Sequence, residues 1–177
     1  MSNATVFFAH DDFAKSKLNK ALINEVNNAK IPAKDLQSLY GGLTFKERIN
    51  PKDDQKLIEG VEKIVLQFPF NWYACPAVMT RWIADVLSFG WAYGVDSPKT
   101  AGKKLLLGIT TGGQDRDYKP NGYNNYYVTE FITPWIQTAK LCKMEFAGVF
   151  FVHGAKVITE DQLAIKAKEY IEFINNA

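Results

Sequence analysis

The stretch at residues 63–94 reads KIVLQFPFNWYACPAVMTRWIADVLSFGWAYG, and it decides the fold. Its apolar run at 64–66 has the length and composition of a buried strand, and an aromatic loop follows at 67–73. Pro76 stands where the first turn of a helix is expected, because its missing N–H costs nothing there. The stretch therefore predicts a strand, an aromatic loop and a helix. In a parallel sheet such a loop lies at the edge where ligands bind.

The aromatic residues of this stretch fall into two groups. Trp82 lies on the apolar face of the predicted helix, so we expect it to pack in the core. The rings at 68–73 follow neither a helical nor a strand period, and loops rarely bury such rings for packing alone. We therefore expect a flat ligand or a partner subunit to cover them. Gly90 and Gly94 are expected to close the helix and the turn after it.

The overall composition argues against several classes of protein. The 177 residues are enough for one domain over 1–177 whose core needs no disulfide or metal. A formal net charge of +2 and the lack of a Lys/Arg stripe argue against nucleic-acid binding. Cys75 and Cys142 are far apart in sequence, so no metal site is expected. The sequence has no signal-peptide pattern and no apolar run of bilayer length, which favours a cytoplasmic protein.

Apolar runs and helical periods alternate along the chain. Strands are predicted at 5–9, 33–39, 64–66, 104–109 and 145–152. Helices are predicted at 17–28 behind an N-cap at Ser16, at 52–62, from Pro76, at 128–143, and after a capping box of Thr159 and Gln162. Apolar strands of this kind predict an α/β fold, in which helices cover both faces of a parallel sheet. Five of them fit a flavodoxin-like three-layer sandwich with the strand order 2-1-3-4-5.

Three loops converge at the switch point of that strand order, between strands 1 and 3. They are 10–15 after strand 1, 67–73 after strand 3, and Thr111-Gly112-Gly113 after strand 4. Two glycines at a strand end permit close approach of the backbone to a ligand, although a simple tight turn explains them equally well. The convergence of the three loops on one crevice supports a ligand site better than any one of them does.

The first of these loops is polar and leads directly into a helix. The N–H groups and the dipole at a helix start favour an anion such as phosphate. His10, Ser16 and Asn19 are placed to assist, although an exposed turn with an N-cap serine explains the pattern about as well. The sequence has neither a GxGxxG motif nor a Walker lysine motif, so neither a dinucleotide fingerprint nor a P-loop is expected.

Several of these segments together resemble the NAD(P)H:quinone oxidoreductase family. The most specific part is the aromatic loop at 67–73 with Cys75-Pro76-Ala77 and Gly90-Trp91-Ala92-Tyr93-Gly94. Thr110-Thr111-Gly112-Gly113 resembles the second flavin loop of the family, and Ala9-His10 with Ser16 and Asn19 resembles the first. The resemblance spans residues 6–174. It is strongest to the short bacterial members of the flavodoxin-2 group, which includes ancillary subunits of glutathione-gated potassium efflux systems.

The resemblance implies a flavin in the crevice, namely FMN in a chain this short, with FAD as the alternative. The residues implied at its phosphate end are His10, Ser16, Leu18 and Asn19. Those implied along the edge of the isoalloxazine ring are Pro69, Phe70, Asn71, Trp72 and Tyr73. Those implied on its other side are Thr111, Gly112, Gly113 and Tyr118. Backbone N–H groups of a glycine loop suit the negative charge that reduced flavin carries near its N1–O2 edge.

The activity implied is that of an NAD(P)H dehydrogenase (quinone). In the family this is a two-electron ping-pong transfer of hydride from NAD(P)H, through flavin N5, to a quinone or a similar planar acceptor. Many relatives protonate the product with a Tyr and a His that follow the glycine loop. This chain keeps Tyr118 but has Tyr123 and Asn124 near the His position. Tyr123 is a candidate second donor; the alternatives are that solvent or the charge of the bound flavin serves instead, or that quinone is not the substrate. His153 follows the last strand and is expected to be structural.

The resemblance also implies partners. Family members are homodimers with the flavin near the interface, and the large apolar residues expected there are Trp72, Phe89, Trp91 and Tyr93. The alternative function is that of a flavin-binding regulatory subunit at the cytoplasmic face of a glutathione-gated potassium efflux transporter, peripheral to the inner membrane, with incidental reductase activity. A one-electron carrier is disfavoured because such carriers are usually strongly acidic, and this chain is not.

Overall fold

Five parallel strands form one sheet in the order β2-β1-β3-β4-β5. The computed structural model describes residues 3–177, and its strands are β1 (Ala4–Phe8), β2 (Ala33–Asp35), β3 (Lys63–Pro69), β4 (Lys104–Thr110) and β5 (Glu145–Val152). All four pairings between neighbouring strands are parallel. The sequence therefore predicted the strand order and the parallel direction correctly. The prediction of one domain over 1–177 also covers residues 1 and 2, which lie outside the described residues.

Helices cover both faces of this sheet. They are α1 (Lys17–Asn28), α2 (Leu36–Tyr40), α3 (Lys52–Glu59), α4 (Ala77–Val86), α5 (Thr133–Leu141) and α6 (Glu160–Asn176). Single 3-10 turns lie at Phe13–Lys15, Asp115–Asp117 and Val128–Ile132. One apolar cluster packs α1 and α6 against one face of the sheet. A second cluster packs α2, α3, α4 and α5 against the opposite face. These two clusters confirm the three-layer arrangement. Over residues 3–177, no helix combines the length and the apolar character that crossing a bilayer requires.

The second strand is shorter than the predicted 33–39, because its last residue starts a helix. The carboxylate of Asp35 accepts hydrogen bonds from the backbone N–H groups of Gln37 at 3.0 Å and Ser38 at 3.1 Å. This N-cap satisfies two donors of α2, which the sequence analysis did not predict. The predicted helix at 52–62 likewise ends earlier, at Glu59, with Gly60 as its C-cap.

The third strand extends beyond the predicted 64–66 and includes part of the segment assigned to a loop. Pro69 pairs with Thr110, so β3 ends at Pro69 and the aromatic loop begins at Phe70. Phe68 consequently lies in the core, where its ring stacks on Trp135 with centroids 4.9 Å apart. The expectation that a ligand or partner covers Phe68 was wrong, because a strand residue directs its ring into the sheet-helix interface. Trp82 is buried, as predicted.

Two helix ends also differ from the predictions. Helix α4 ends at Val86 and its C-cap is Leu87, so Gly90 and Gly94 do not close it. Both glycines have positive φ, 83° and 79°, and shape the loop that follows. The predicted helix at 128–143 begins as a 3-10 turn and becomes α-helical only at Thr133. Pro134 lies in the first turn of α5, where its missing N–H is harmless.

Candidate functional site

The loops after β1, β3 and β4 meet at the carboxyl edge of the sheet. The amide of Asn71 donates a 3.1 Å hydrogen bond to the carboxylate of Asp11, which joins the loops after β3 and β1. The hydroxyl of Tyr73 donates a 3.1 Å bond to the amide oxygen of Asn124, which joins the loops after β3 and β4. These two contacts connect the loop after β3 to the loops on either side of it.

The start of α1 presents unpaired donors at this edge. Ser16 is its N-cap and accepts a 3.3 Å hydrogen bond from the backbone N–H of Asn19. The N–H groups of Lys17 and Leu18 find no acceptor within residues 3–177. The side chain of Leu18 is buried in the core, so this residue offers only its backbone. A helix start with free N–H groups and a favourable dipole can bind a phosphate.

His10 lies in the loop before that helix. Its Nδ1 accepts a 3.0 Å hydrogen bond from the backbone N–H of Asp12. A neutral imidazole in this arrangement carries its proton on Nε2, so His10 retains one ring donor for an anion. The residues that the resemblance implies for a phosphate are His10, Ser16, Leu18 and Asn19. His10 and Leu18 offer free donors, whereas the backbone N–H groups of Ser16 and Asn19 and the Asn19 amide already donate within the protein.

A buried polar network connects α1 to the two central strands. The amide of Asn19 donates a 2.8 Å bond to the hydroxyl of Thr110, and Gln67 Nε2 lies 3.3 Å from the Asn19 carbonyl oxygen. Gln67 is fully buried, and its Oε1 has no hydrogen-bond partner within residues 3–177. Such an orphaned acceptor is uncommon in a protein interior and tends to mark a functional site. The sequence analysis did not select Gln67, because glutamine in an apolar run carries no specific signal.

The aromatic loop contains a strained turn. Trp72 and Tyr73 have φ values of 49° and 62°, and the N–H of Ala74 donates a 2.9 Å bond to the Asn71 carbonyl. Side chains rarely adopt this left-handed conformation, and each such residue costs about 1–3 kcal/mol. The turn leaves Trp72 94% exposed, while Tyr73 stacks on Phe131 with ring centroids 5.1 Å apart. Strain of this kind clusters at functional sites.

A cleft of about 270 Å³ separates the aromatic loop from the glycine loop. Its walls are formed by Phe70, Trp72, Tyr73, Gly113, Tyr118, Tyr123 and Asn124. At Gly112 an added Cβ would meet nothing within 4 Å, so the glycine loop has an open side. Three larger cavities, of about 660, 650 and 540 Å³, lie beside α6, between α2 and α4, and beside α3, and none is lined by both loops. The cleft suits a flat ring inserted between the two loops.

The glycine loop is held against the segment that follows β5. The N–H of Thr111 donates to the Val152 carbonyl at 3.0 Å, and the N–H of Gly154 donates to the Gly113 carbonyl at 2.8 Å. The Thr111 hydroxyl lies 2.8 Å from Nδ1 of His153. The side chain of His153 therefore belongs to the environment of the site. Only its position directly after the edge strand β5 could have indicated this, and a structural role was expected for it from the sequence.

The two candidate proton donors differ in exposure. Tyr118 is 8% exposed, and burial raises the pKa of its phenol, an effect that the Thr111 hydroxyl partly opposes. Tyr118 thus keeps its proton at neutral pH and can act as a donor. Tyr123 is 88% exposed and lines the outer part of the same cleft. Both tyrosines therefore line the cleft of which the aromatic loop forms one wall.

Comparison with known proteins extends this description. The sequence matches the Flavodoxin_2 family, which is described by a flavodoxin-like fold, over residues 2–174. It is 33% identical over 170 residues to the uncharacterized NAD(P)H oxidoreductase YrkL of Bacillus subtilis, covering 96% of this chain and 95% of YrkL. It is 31% identical over 170 residues to the glutathione-regulated potassium-efflux system ancillary protein KefG of Pectobacterium carotovorum, covering 96% and 91% of the two chains.

A solved structure with a bound cofactor is also similar. General stress protein 14 of Treponema denticola, in complex with FMN, superposes with a TM-score of 0.89 at 26% identity, covering 98% of each chain. The family match, the two relatives and this structure each cover nearly the whole of the chain. The predicted resemblance and fold are therefore confirmed.

Proposed function

This chain belongs to the Flavodoxin_2 family, and on that basis we propose that it is an FMN-dependent NAD(P)H:quinone oxidoreductase. The net reaction is NAD(P)H + H⁺ + quinone → NAD(P)⁺ + hydroquinone. When bound, FMN supplies a ring that accepts a hydride from NAD(P)H and returns it to the second substrate, in a ping-pong order. The NAD(P)H oxidoreductase name of the Bacillus relative and the FMN complex of the Treponema protein support this proposal.

The observation that carries the proposal is the cleft between the strained aromatic turn and the glycine loop. It lies between the loops after β3 and β4, at the carboxyl edge of the sheet, where open α/β folds bind their ligands. Unpaired N–H groups at the start of α1 and the exposed donor of His10 lie at the same edge, which suits the phosphate of FMN rather than an uncharged ligand.

Each group of residues has a distinct role in the proposal. His10, Ser16, Leu18 and Asn19 lie at the phosphate end, where the His10 ring and the backbone N–H of Leu18 are the free donors. Ser16 and Asn19 bond to each other and fix the start of the helix. The backbone from Pro69 to Tyr73 and the turn Thr111-Gly112-Gly113 hold the two sides of the ring and exclude water. The side chain of Trp72 is exposed at the edge of the cleft, and a planar substrate stacks in the open part beside it. Close stacking is what a direct hydride transfer requires.

Proton supply falls to the two tyrosines. Burial raises the pKa of Tyr118, so its phenol is protonated at working pH and is able to donate to a product oxygen in the cleft. Tyr123 is exposed at the cleft mouth and connects the site with solvent. Asn124 is near the sequence position where many family members have a histidine. Its amide oxygen accepts a hydrogen bond from the Tyr73 hydroxyl, so it is not a proton donor to the cleft.

The decisive measurement is the visible spectrum of the purified protein, followed by mass identification of the released cofactor. We expect flavin absorption and FMN, with FAD as the alternative. Steady-state turnover with NADH or NADPH and menadione is expected to approach the roughly 10 s⁻¹ that is typical of enzymes. A colourless protein that takes up neither FMN nor FAD would contradict the proposal.

A second candidate function is favoured by the similarity to KefG. In this alternative the chain is a flavin-binding regulatory subunit at the cytoplasmic face of a potassium efflux transporter, and its reductase activity is incidental. FMN binding with turnover well below about 1 s⁻¹ would favour it over the enzyme. A cytoplasmic location and a homodimer belong to both proposals. Of the four residues expected at the contact, Trp72 and Phe89 are exposed, whereas Trp91 and Tyr93 are half-buried. Light scattering is expected to give twice the chain mass.

A further inference from the structure

His153 has a defined hydrogen-bond direction that ties it to the glycine loop. The Thr111 hydroxyl lies 2.7 Å from the Gly113 carbonyl and 2.8 Å from His153 Nδ1. A carbonyl oxygen only accepts, and a hydroxyl has one hydrogen, so Thr111 donates to Gly113. His153 must then donate from Nδ1, and its neutral tautomer is the Nδ1–H form. The direction of this chain of bonds follows from the atoms alone.

The second ring nitrogen faces a carboxylate on the same loop. Nε2 of His153 lies 3.5 Å from Oδ1 of Asp115, two residues beyond Gly113. In the neutral ring this nitrogen holds a lone pair directed at the carboxylate, whereas in the protonated ring it becomes a donor to it. Protonation therefore adds a second contact to the loop that the first nitrogen already holds.

The ring is fixed in place by its neighbours. It stacks on Phe151 with an interplanar angle of 17° and centroids 5.3 Å apart, and it lies 5.7 Å from the ring of Tyr118. Burial lowers the pKa of His153, the carboxylates of Asp115 and Asp117 oppose that effect, and Lys166 on α6 adds to it. These are the charged groups that face the ring from the glycine loop and from α6.

We propose that His153 is a pH-dependent positioning residue, which holds the turn Thr111-Gly112-Gly113 in its flavin-binding conformation through Thr111 and, when protonated, through Asp115. This inference rests on the proposed function and adds to it. His153 does not touch the ligand cleft, since the cleft-lining residues do not include it. It acts by restraining the loop, so its effect is on cofactor affinity and on the pH dependence of that affinity.

The test measures the FMN dissociation constant of the apoprotein by fluorescence titration between pH 5.5 and 8.5. The native protein is expected to bind more tightly as the pH falls through the pKa of His153, because the protonated ring makes both contacts. Riboflavin is titrated in parallel, since it lacks the phosphate, whose own pKa near 6 would otherwise contribute. A pH dependence seen with FMN but absent with riboflavin would overturn the inference.

Three variants separate the two contacts. His153→Asn keeps a donor near the position of Nδ1 and is expected to retain the affinity seen at pH 8.5 while losing the pH dependence. His153→Ala is expected to weaken binding about tenfold at pH 8.5, as the loss of one good hydrogen bond predicts, and by a larger factor at pH 5.5, where the native ring makes both contacts. Asp115→Asn is expected to reduce the pH dependence alone. Wild-type affinity in folded His153→Ala at every pH would overturn the inference.

A readout that needs no flavin distinguishes failure of this inference from failure of the proposed function. The chain has two histidines, so ¹⁵N NMR of the imidazoles is simple to assign by comparison with His153→Asn. We expect the Nδ1–H tautomer for His153, and an Nε2–H tautomer would overturn the inference even if FMN binds. A protein with the expected tautomer that binds neither FMN nor riboflavin would overturn the proposed function, and the flavin-binding role of His153 with it.

Discussion

Asn19 on the first turn of α1 donates a 2.8 Å hydrogen bond to Thr110, the last residue of β4, although 91 residues separate them. Both side chains are buried, and Gln67 also lies against Asn19. Asn19→Ala removes the donor to the buried Thr110 hydroxyl and the 3.4 Å side-chain contact of Gln67, which then keeps only the backbone carbonyl of residue 19. We expect the free energy of unfolding to fall by about 1–3 kcal/mol, measured by urea denaturation.

Asn27 provides the matched control for this variant. It lies on the same helix and is exposed. Asn27→Ala is expected to change the free energy of unfolding by no more than about 0.5 kcal/mol, as is usual for surface substitutions. An equal loss in the two variants would show that the helix, rather than the contact with Thr110, is responsible.

The left-handed turn predicts a trade-off between stability and binding at Trp72. Its φ of 49° is unfavourable for a bulky residue, and its side chain is 94% exposed, so little burial is lost on replacement. Asparagine tolerates this conformation several-fold better than most residues. We expect Trp72→Asn to stabilise the fold by about 1 kcal/mol and to weaken FMN binding, measured by thermal unfolding and fluorescence titration.

Phe45→Asn is the control that distinguishes the relief of backbone strain at Trp72 from the removal of an exposed aromatic ring. It is 103% exposed and does not have a positive φ. Phe45→Asn is therefore expected to leave both the melting temperature and the FMN affinity nearly unchanged. A stabilisation of the same size in this variant would mean that the loss of exposed apolar surface, and not the relief of strain at Trp72, explains the result.

Because Tyr170 is buried, we expect the folded protein to lose stability at alkaline pH. It is fully buried on α6, its hydroxyl has no partner within residues 3–177, and burial raises the pKa of its phenol strongly. The unfolded chain ionises this group near pH 10, whereas the folded chain keeps it protonated. The contribution to stability is therefore present below about pH 10 and is lost as the pH rises above it.

Tyr170→Phe removes the unpaired hydroxyl. We expect a free energy of unfolding at pH 7 that is unchanged or about 1 kcal/mol higher, because no hydrogen bond is lost. Between pH 9 and 11 this variant should lose less stability than the native protein in urea denaturation. Tyr123→Phe, at an 88% exposed position, is the control and should follow the native curve. Identical alkaline slopes in Tyr170→Phe and the native protein would contradict the prediction.

The buried carboxylate of Asp54 lies on the face of the sheet opposite Tyr170, and we expect its substitution to lower the free energy of unfolding strongly. Asp54 is fully buried and accepts hydrogen bonds from Trp82 Nε1 at 2.6 Å, from the Tyr40 hydroxyl at 2.9 Å and from Lys34. Asp54→Asn leaves Lys34 without its charge partner and places a new donor among donors. We expect a loss of about 3–5 kcal/mol in the free energy of unfolding, because one member of a buried ion pair is removed.

The neighbouring residue Asp53 is the matched control, since it is exposed in the first turn of the same helix. Asp53→Asn is expected to cost less than about 1 kcal/mol, the usual size of a helix-dipole interaction. Chemical denaturation at pH 7 measures both variants. Comparable losses at the two positions would show that the charge at the helix start, and not the buried network, determines the stability.

Much of the fold could be predicted from local pattern. Continuous apolar runs identified β1, β3, β4 and β5, because strands covered on both faces bury most of their side chains. Strand β2, with the sequence Ala-Lys-Asp, has no such run. The boundaries were less accurate where a polar side chain intervened. Asp35 ends β2 by capping α2, and pairing with β4 extends β3 through Pro69, so Phe68 lies in the core. Local sequence does not show whether a residue forms hydrogen bonds with a neighbouring strand or with the start of a helix.

The candidate site was predicted as three loops but not as a set of contacts. The order of strands brings those loops to one edge, and this follows from the sequence once the strands are counted. The roles of Gln67 and His153 did not follow, since each depends on a partner far along the chain: Asn19 for Gln67 and Thr111 for His153. The strain at Trp72 likewise carries no sequence signal, because tryptophan rarely adopts a left-handed conformation.

The sequence by itself determined the class of fold, the order of the strands, the family and the three loops that form the crevice. Those properties depend on hydrophobic period and on turn residues, which act over a few positions. Only the tertiary structure decided which buried polar groups pair across the crevice and which ring nitrogen of His153 faces Thr111. Hydrogen bonds between distant segments require distances within a few tenths of an ångström, and these are set by the packing of the sheet against its helices.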